Sequence, residues 1–354
     1  MAQLFEPLAL RDVRLPNRVM VSPMCQYSAT PDGFATDWHL VHYGSLAVGG
    51  AGLVVFEATA VEARGRISGR DLGIWTDTHA ERLVTAVRFV AGQGAVPGIQ
   101  LAHAGRKASV APPWEGGRFL LPAEGGWPTV APSAVPFGHT GPVPRALAAE
   151  EIADVVASFR AAAGRAREAG FRVLELHAAH GYLLHQFLSP LANQREDRYG
   201  GTFENRIRLV LETVEAIRHE WPERDPLLVR ISATDWAEGG WNADESVDLA
   251  RRLARHGVDL VDCSSGGLVP DAKIPIGPGY QVPFAARVRR EAGVPTAAVG
   301  MITDPAQAEA ILRDGAADLV AVARELLRDP RFPQRAARVL GADLPWPPQY
   351  VRAK

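Results

Sequence analysis

Residues 172–182 read RVLELHAAHGY. The stretch follows an amphipathic run closed by Gly170, and Arg172 to Leu176 reads as a short apolar strand. The strand then releases His177, His180 and Tyr182, three side chains suited to hydrogen bonding and proton transfer. In a parallel α/β protein the C-terminal ends of the strands are where chemistry sits.

Working outward, the same unit recurs. Strands are expected at 18–22, 53–57, 96–101, 173–176, 227–231, 258–262, 296–299 and 318–322. Helices at 37–48, 79–91, 149–169, 202–220, 244–255, 284–291 and 305–313 follow them in turn, with a final helix after the eighth strand. Eight strand–helix pairs predict an α/β fold, a (β/α)8 TIM barrel, as a single domain over 1–354. A doubly wound sheet would carry a glycine fingerprint after its first strand, where this chain has SPMCQY. Residues 4–17 predict an N-terminal β-hairpin. The Gly-, Pro- and Trp-rich stretch of about 112–144, after strand 3, is expected to cap the mouth. The proline-rich tail 343–354 should be extended, and disordered in a monomer.

The formal net charge is −2, without a block of like charge, so a basic face for nucleic acid or lipid is not expected. The N-terminus lacks signal-peptide features and no apolar run reaches spanning length, which makes the cytoplasm the expected location. Two cysteines, Cys25 and Cys263, do not make a disulfide framework. Of 38 basic residues only Lys107, Lys273 and Lys354 are lysine, which makes Lys107 beside the third strand a functional candidate.

The strand ends would gather Cys25, Tyr27, Ala58, Gln100, Lys107, His177, His180, Tyr182, Arg230, Ser264, Gly300, Met301 and Arg324 at one mouth. Facing carboxylates for glycoside hydrolysis are not marked out, and the two histidines of HAAH have no evident third metal ligand. The set suits a planar, electron-rich ligand. Gln100 can donate and accept along an imide edge, and Arg230 can stabilise a developing anion. The turns at Val299-Gly300-Met301 and Ala323-Arg324 occupy the usual barrel phosphate position. Flavin mononucleotide satisfies all three.

At these residues the chain resembles the old yellow enzyme family of FMN-dependent ene-reductases, most closely its thermophilic-like bacterial branch. The stretches that carry the resemblance are SPMCQY (22–27), DWHLVHY (37–43), EATAV (57–61), DLGIWTD (71–77) and IQLAHAGRKA (99–108). They continue with the block from Glu175 to Arg206, VRISATDW (229–236), DCSSGG (262–267), GYQVPFA (279–285), VGMITDP (299–305) and RELLRDP (324–330). The resemblance implies that Ser22, Pro23, Met24, Cys25, Ala58 and Gln100 line the flavin, with Cys25 tuning it. It implies Arg230 at the anionic edge, Ser264 and Gln281 along the ribityl chain or ring, and Gly300, Met301, Ala323 and Arg324 on the phosphate. His177 and His180 would bind the substrate carbonyl and Tyr182 would donate the proton. Tyr27 would close the pocket, with Lys107 nearby. The family commonly has glycine where this chain has Ala323, which is harmless unless that residue needs positive φ.

The implied activity is hydride transfer from NADPH or NADH, through flavin N5, to the Cβ of α,β-unsaturated carbonyl or similarly activated alkenes. The branch also implies a homodimer or homotetramer in which Arg352 reaches the neighbouring active site. Two alternatives stand beside this. One is another FMN barrel such as a dienoyl-CoA reductase relative, against which two cysteines count because those proteins carry an iron–sulfur cluster. The other is a non-catalytic flavin-binding barrel.

Overall fold

Period-2 alternation along the strands builds the molecule. In the computed structural model, which describes residues 2–139 and 141–354, eight parallel strands form a closed barrel. They are β1 (Val19–Val21), β2 (Leu53–Ala60), β3 (Val96–Ala102), β4 (Val173–Ala178), β5 (Leu227–Ser232), β6 (Leu260–Ser264), β7 (Thr296–Ala298) and β8 (Leu319–Val322). Closure comes from β8 pairing with β1, Val322 opposite Val21. The main helices are α1 (Asp37–Val48), α2 (Asp77–Gly92), α3 (Ala149–Glu168), α4 (Arg208–Glu220), α5 (Ala243–Arg255), α6 (Val282–Ala292), α7 (Pro305–Arg313) and α8 (Phe332–Val339). Local signals start several of them. The Asn242 side chain accepts from the amides of Asp244 and Glu245, and Asp304 does the same for α7, whose first residue is Pro305.

On β4, Leu174 and Leu176 face the helical layer, while Val173 faces the barrel interior. The alternation therefore turns Glu175 and His177 inward above Val173. The same ladder runs Leu228–Arg230 on β5 and Leu260–Asp262 on β6. The lowest layer is apolar, and the antiparallel hairpin Leu8–Leu10/Val13–Leu15 adds Leu10, Val13 and Leu15 to it. Burying each such side chain contributes about 1.5–3 kcal/mol, so the barrel has a sealed floor and a polar storey above it.

Several boundaries differ from the sequence expectation. β4 runs to Ala178, so His177 stands on the strand rather than after it. β6 begins and ends two residues later than expected, which brings Ser264 onto it. The expected helix 202–220 is broken at Ile207 into Phe203–Arg206 and α4. The stretch 112–144 holds short 3₁₀ turns at Pro113–Glu115 and Pro122–Glu124, and Val130–Ala131 pairs with Arg145–Ala146. Thr140, inside that stretch, lies outside the described residues. The tail is not simply extended: Pro348–Ala353 forms a 3₁₀ turn, with Arg331 5.0 Å from the Tyr350 ring.

Candidate active site

The loop after β4 is drawn tight. His180 takes φ +57° and Gly181 φ +73°, and a Cβ on Gly181 would lie 2.1 Å from Gly267 O. Only glycine allows the β4 and β6 loops to touch there. Lys107 locks the contact: its Nζ donates to His180 O at 2.8 Å and to Gly267 O at 3.0 Å. Burial, with Arg106 alongside, pushes this ammonium down to about 8. Lys107 was expected at the pocket, and its ammonium does stand 5.2 Å from the Tyr182 ring, but its hydrogen bonds go to backbone. Tyr27 and Met301, also expected site residues, share positive φ at +50° each. Backbone strain of this kind gathers at functional sites.

The three side chains released by β4 stand together. The rings of His177 and His180 are 5.1 Å apart and perpendicular, and Tyr182 lies 5.0 Å from His177. Burial, then the positive charge of Arg230, holds both histidines well below the usual imidazole range. Both are therefore neutral at pH 7, and their tautomers follow from their neighbours. His177 Nδ1 accepts from the Ala179 amide at 3.2 Å, so its proton sits on Nε2. His180 Nε2 is 2.7 Å from Ser264 Oγ, which is 3.2 Å from Gln281 Oε1. Ser265 Oγ already donates to that oxygen at 2.7 Å. Ser264 Oγ donates its single proton to Gln281 Oε1 and turns its lone pairs toward His180 Nε2. Burial raises the Tyr182 phenol well above its ordinary range, so it too is protonated.

Cys25 and Tyr27 pack with Ile67, Ala104, Trp127 and Tyr182 in one apolar cluster over the mouth. Burial, then Asp71 and Glu57, push the Cys25 thiol up, so it is no thiolate at neutral pH. Ser22 is buried and follows β1, with Pro23 and Met24 partly exposed beside it. Ala58 pairs with Gln100 across β2 and β3. Gln100 Nε2 donates to Glu175 Oε1 at 2.7 Å, and Arg230 Nε lies 3.1 Å from Asp262 Oδ2. Arg230 is thus both an ion-pair partner and a lining residue. It joins Ser264, Gln281, Gly300, Met301, Ala323 and Arg324 around a cavity of about 410 Å³. Ala323 has φ −111°, outside the left-handed region that would call for glycine. Arg352 is exposed on the C-terminal turn and does not line this cavity.

The residues present fit a flavin mononucleotide. Three guanidinium groups (Arg230, Arg324 and Arg328), the hydroxyls of Ser264, Tyr280 and Thr303, the Gln281 amide and the positive-φ pair Gly300-Met301 border one cavity beside a single carboxylate, Glu325, a donor-rich set matched to phosphate and a polyhydroxy chain. Glu175 and the clamp role of Lys107 escaped the sequence reading. The signal for Glu175 was available as a lone carboxylate at an inward position of the strand VLELHA.

The model of the NADH:flavin oxidoreductase / NADH oxidase family matches residues 3–342. The chain belongs to that family. An NADPH dehydrogenase from Listeria innocua serovar 6a is 49% identical over 354 residues, covering 100% of this chain and 99% of that protein. Among solved structures, morphinone reductase in complex with tetrahydroNAD aligns with a TM-score of 0.79 at 31% identity, over 98% of this chain and 93% of that one. The old yellow enzyme homologue from Zymomonas mobilis aligns with a TM-score of 0.79 at 25% identity, over 97% and 94%. This member of the family is an oxidoreductase whose cofactors are FMN and a nicotinamide nucleotide. No helix among its described residues is long and apolar enough to cross a membrane.

Proposed function

We propose that this oxidoreductase reduces the C=C bond of α,β-unsaturated carbonyl compounds and similarly activated alkenes. The observation that carries the reading is the pair of neutral imidazoles at one mouth, with a protonated tyrosine packed against one of them. When bound, FMN passes on as hydride the two electrons it takes from the nicotinamide.

Ser22, Pro23, Met24, Cys25, Ala58 and Gln100 would line its ring. Arg230 would stand at its electron-accepting edge, with Ser264 and Gln281 along the ribityl chain or ring. Gly300, Met301, Ala323 and Arg324 would hold the phosphate. His177 through Nε2–H, with His180 beside it, would grip the substrate carbonyl oxygen, where charge accumulates as hydride reaches Cβ. With Nδ1 accepting from the Ala179 amide, His177 keeps its Nε2–H free to donate. Tyr182 would deliver its phenolic proton to Cα, and Tyr27 with Cys25 would shut the apolar lid over the substrate.

A flavin-binding barrel without catalysis would not call for two neutral imidazoles beside a protonated phenol. Anaerobic mixing of the reduced enzyme with 2-cyclohexenone tests the reading. Reoxidation with formation of cyclohexanone is expected; a flavin that stays reduced across a panel of enones sinks it.

A further inference from the structure

Below the mouth, the second storey of the barrel holds Gln100, Glu175, Arg230 and Asp262, one from each of four consecutive strands and all buried. Its charges do not balance. Two carboxylates face one guanidinium in a space sealed below by the apolar floor. Arg230 Nε approaches Asp262 Oδ2 without hydrogen-bond alignment, so neither Asp262 oxygen accepts a hydrogen bond. Glu175 Oε1 accepts from Gln100, while Oε2 has no partner. Two buried anions against one cation leave a net charge that a low-dielectric interior tolerates poorly, and a bound proton removes it. Asp262 has the guanidinium 3.1 Å away, whereas Glu175 has only the neutral Gln100 amide within hydrogen-bond reach. The proton therefore belongs on Glu175, at Oε2.

We propose that Glu175 is a redox-linked proton site and a positioning residue for Gln100, neutral at pH 7 and binding its proton more tightly when the cofactor is reduced. This rests on the placement of FMN against Gln100 and Arg230. Reduction adds negative charge beside Arg230, and the guanidinium then offsets less of the Glu175–Asp262 charge. At alkaline pH, where the oxidised enzyme holds Glu175 as carboxylate, reduction draws one proton from solvent onto that carboxylate. The two electrons come from the nicotinamide. Linkage is reciprocal, so ionising Glu175 lowers the reduction potential. The groups facing Glu175 are Asp262, which together with burial raises it, and Arg230 and Gln100, which lower it.

The test is the two-electron potential of the FMN holoenzyme against pH, from neutral into the alkaline range, for wild type, Glu175→Gln and Glu175→Asp. In the wild type the slope should steepen from about one proton per two electrons to about two. In Glu175→Gln it should stay straight, and Glu175→Asp should restore the bend at a shifted pH. Parallel straight lines for wild type and Glu175→Gln overturn the proposal. If Glu175→Gln cannot hold FMN, the infrared spectrum of wild-type protein decides. A buried protonated-carboxyl band that titrates only in the alkaline range supports the proposal, and its absence at neutral pH refutes it. Arg230→Met distinguishes the FMN placement from the Glu175 proton site. If it alters neither FMN affinity nor potential, the FMN placement fails. If it shifts the potential while the Glu175→Gln slope matches wild type, only the proton site fails.

Discussion

His177 is an imidazole that folding keeps uncharged, and that has a price in acid. Its folded value lies below its unfolded one, so below about pH 6.5 the unfolded chain binds a proton that the native site refuses. Stability is then lost as pH falls through 6.5, by up to about 1.4 kcal/mol per pH unit for this one group. The melting temperature should drop between pH 7 and 5, less so in His177→Asn; equal drops in both would show that His177 is not the group responsible. In catalysis, His177→Ala or His180→Ala removes one member of the pair that grips the carbonyl oxygen. Enone-dependent reoxidation should slow roughly 100- to 1,000-fold. Stopped-flow traces that overlay the wild type in both variants would remove the carbonyl anchor. Tyr182→Phe should leave reduction by NADPH near wild type and slow reoxidation by the enone, because only the second step consumes its proton. A matching loss in both half-reactions would make Tyr182 a packing residue.

At the scale of elements, the mouth is a set of loops stapled together. Lys107 joins the loop after β3 to those after β4 and β6 through two charge-assisted hydrogen bonds, each worth about 1.5–3 kcal/mol. Lys107→Met should lower the melting temperature and the enone rate together while FMN remains bound. A variant of unchanged stability with a raised KM alone would instead make Lys107 a substrate ligand. The barrel itself was legible because the eight strands carry apolar runs between amphipathic helices, with period-2 alternation interrupted in β2 only by a bulge at Glu57. His177, His180 and Tyr182 were legible because they interrupt such a run at its C-terminal end. The Lys107 staple was not, since backbone carbonyls leave no mark in a sequence. Glu175 was passed over because one inward carboxylate resembles a surface position until the barrel closes around it. The break at Ile207 and the shifted start of β6 follow tertiary contacts that local propensity does not encode.

For the whole molecule, the unsettled face is the one carrying the C-terminus. Val41 on α1 is 66% exposed, and with Phe89 and Tyr350 it borders an apolar groove of about 530 Å³. Val351 stands 55% exposed on the adjacent turn. We expect this face to meet a second copy, with Arg352 reaching the partner's mouth. Deleting residues 346–354 should weaken the dimer in sedimentation or raise KM for enones, with FMN retained. A fully active monomer at high dilution would remove this expectation and leave the flavin site standing.

One buried mouth would carry hydride and proton to the two ends of a polarised double bond. The most direct measurement reduces the FMN enzyme with one equivalent of stereospecifically deuterated NADPH, then adds 2-cyclohexenone anaerobically and analyses the product by mass spectrometry and NMR. Cyclohexanone with deuterium at Cβ and a solvent-derived proton at Cα is expected, formed far more slowly by Tyr182→Phe. Deuterium found only in water, or an enone recovered unchanged beside a reduced flavin, would contradict it.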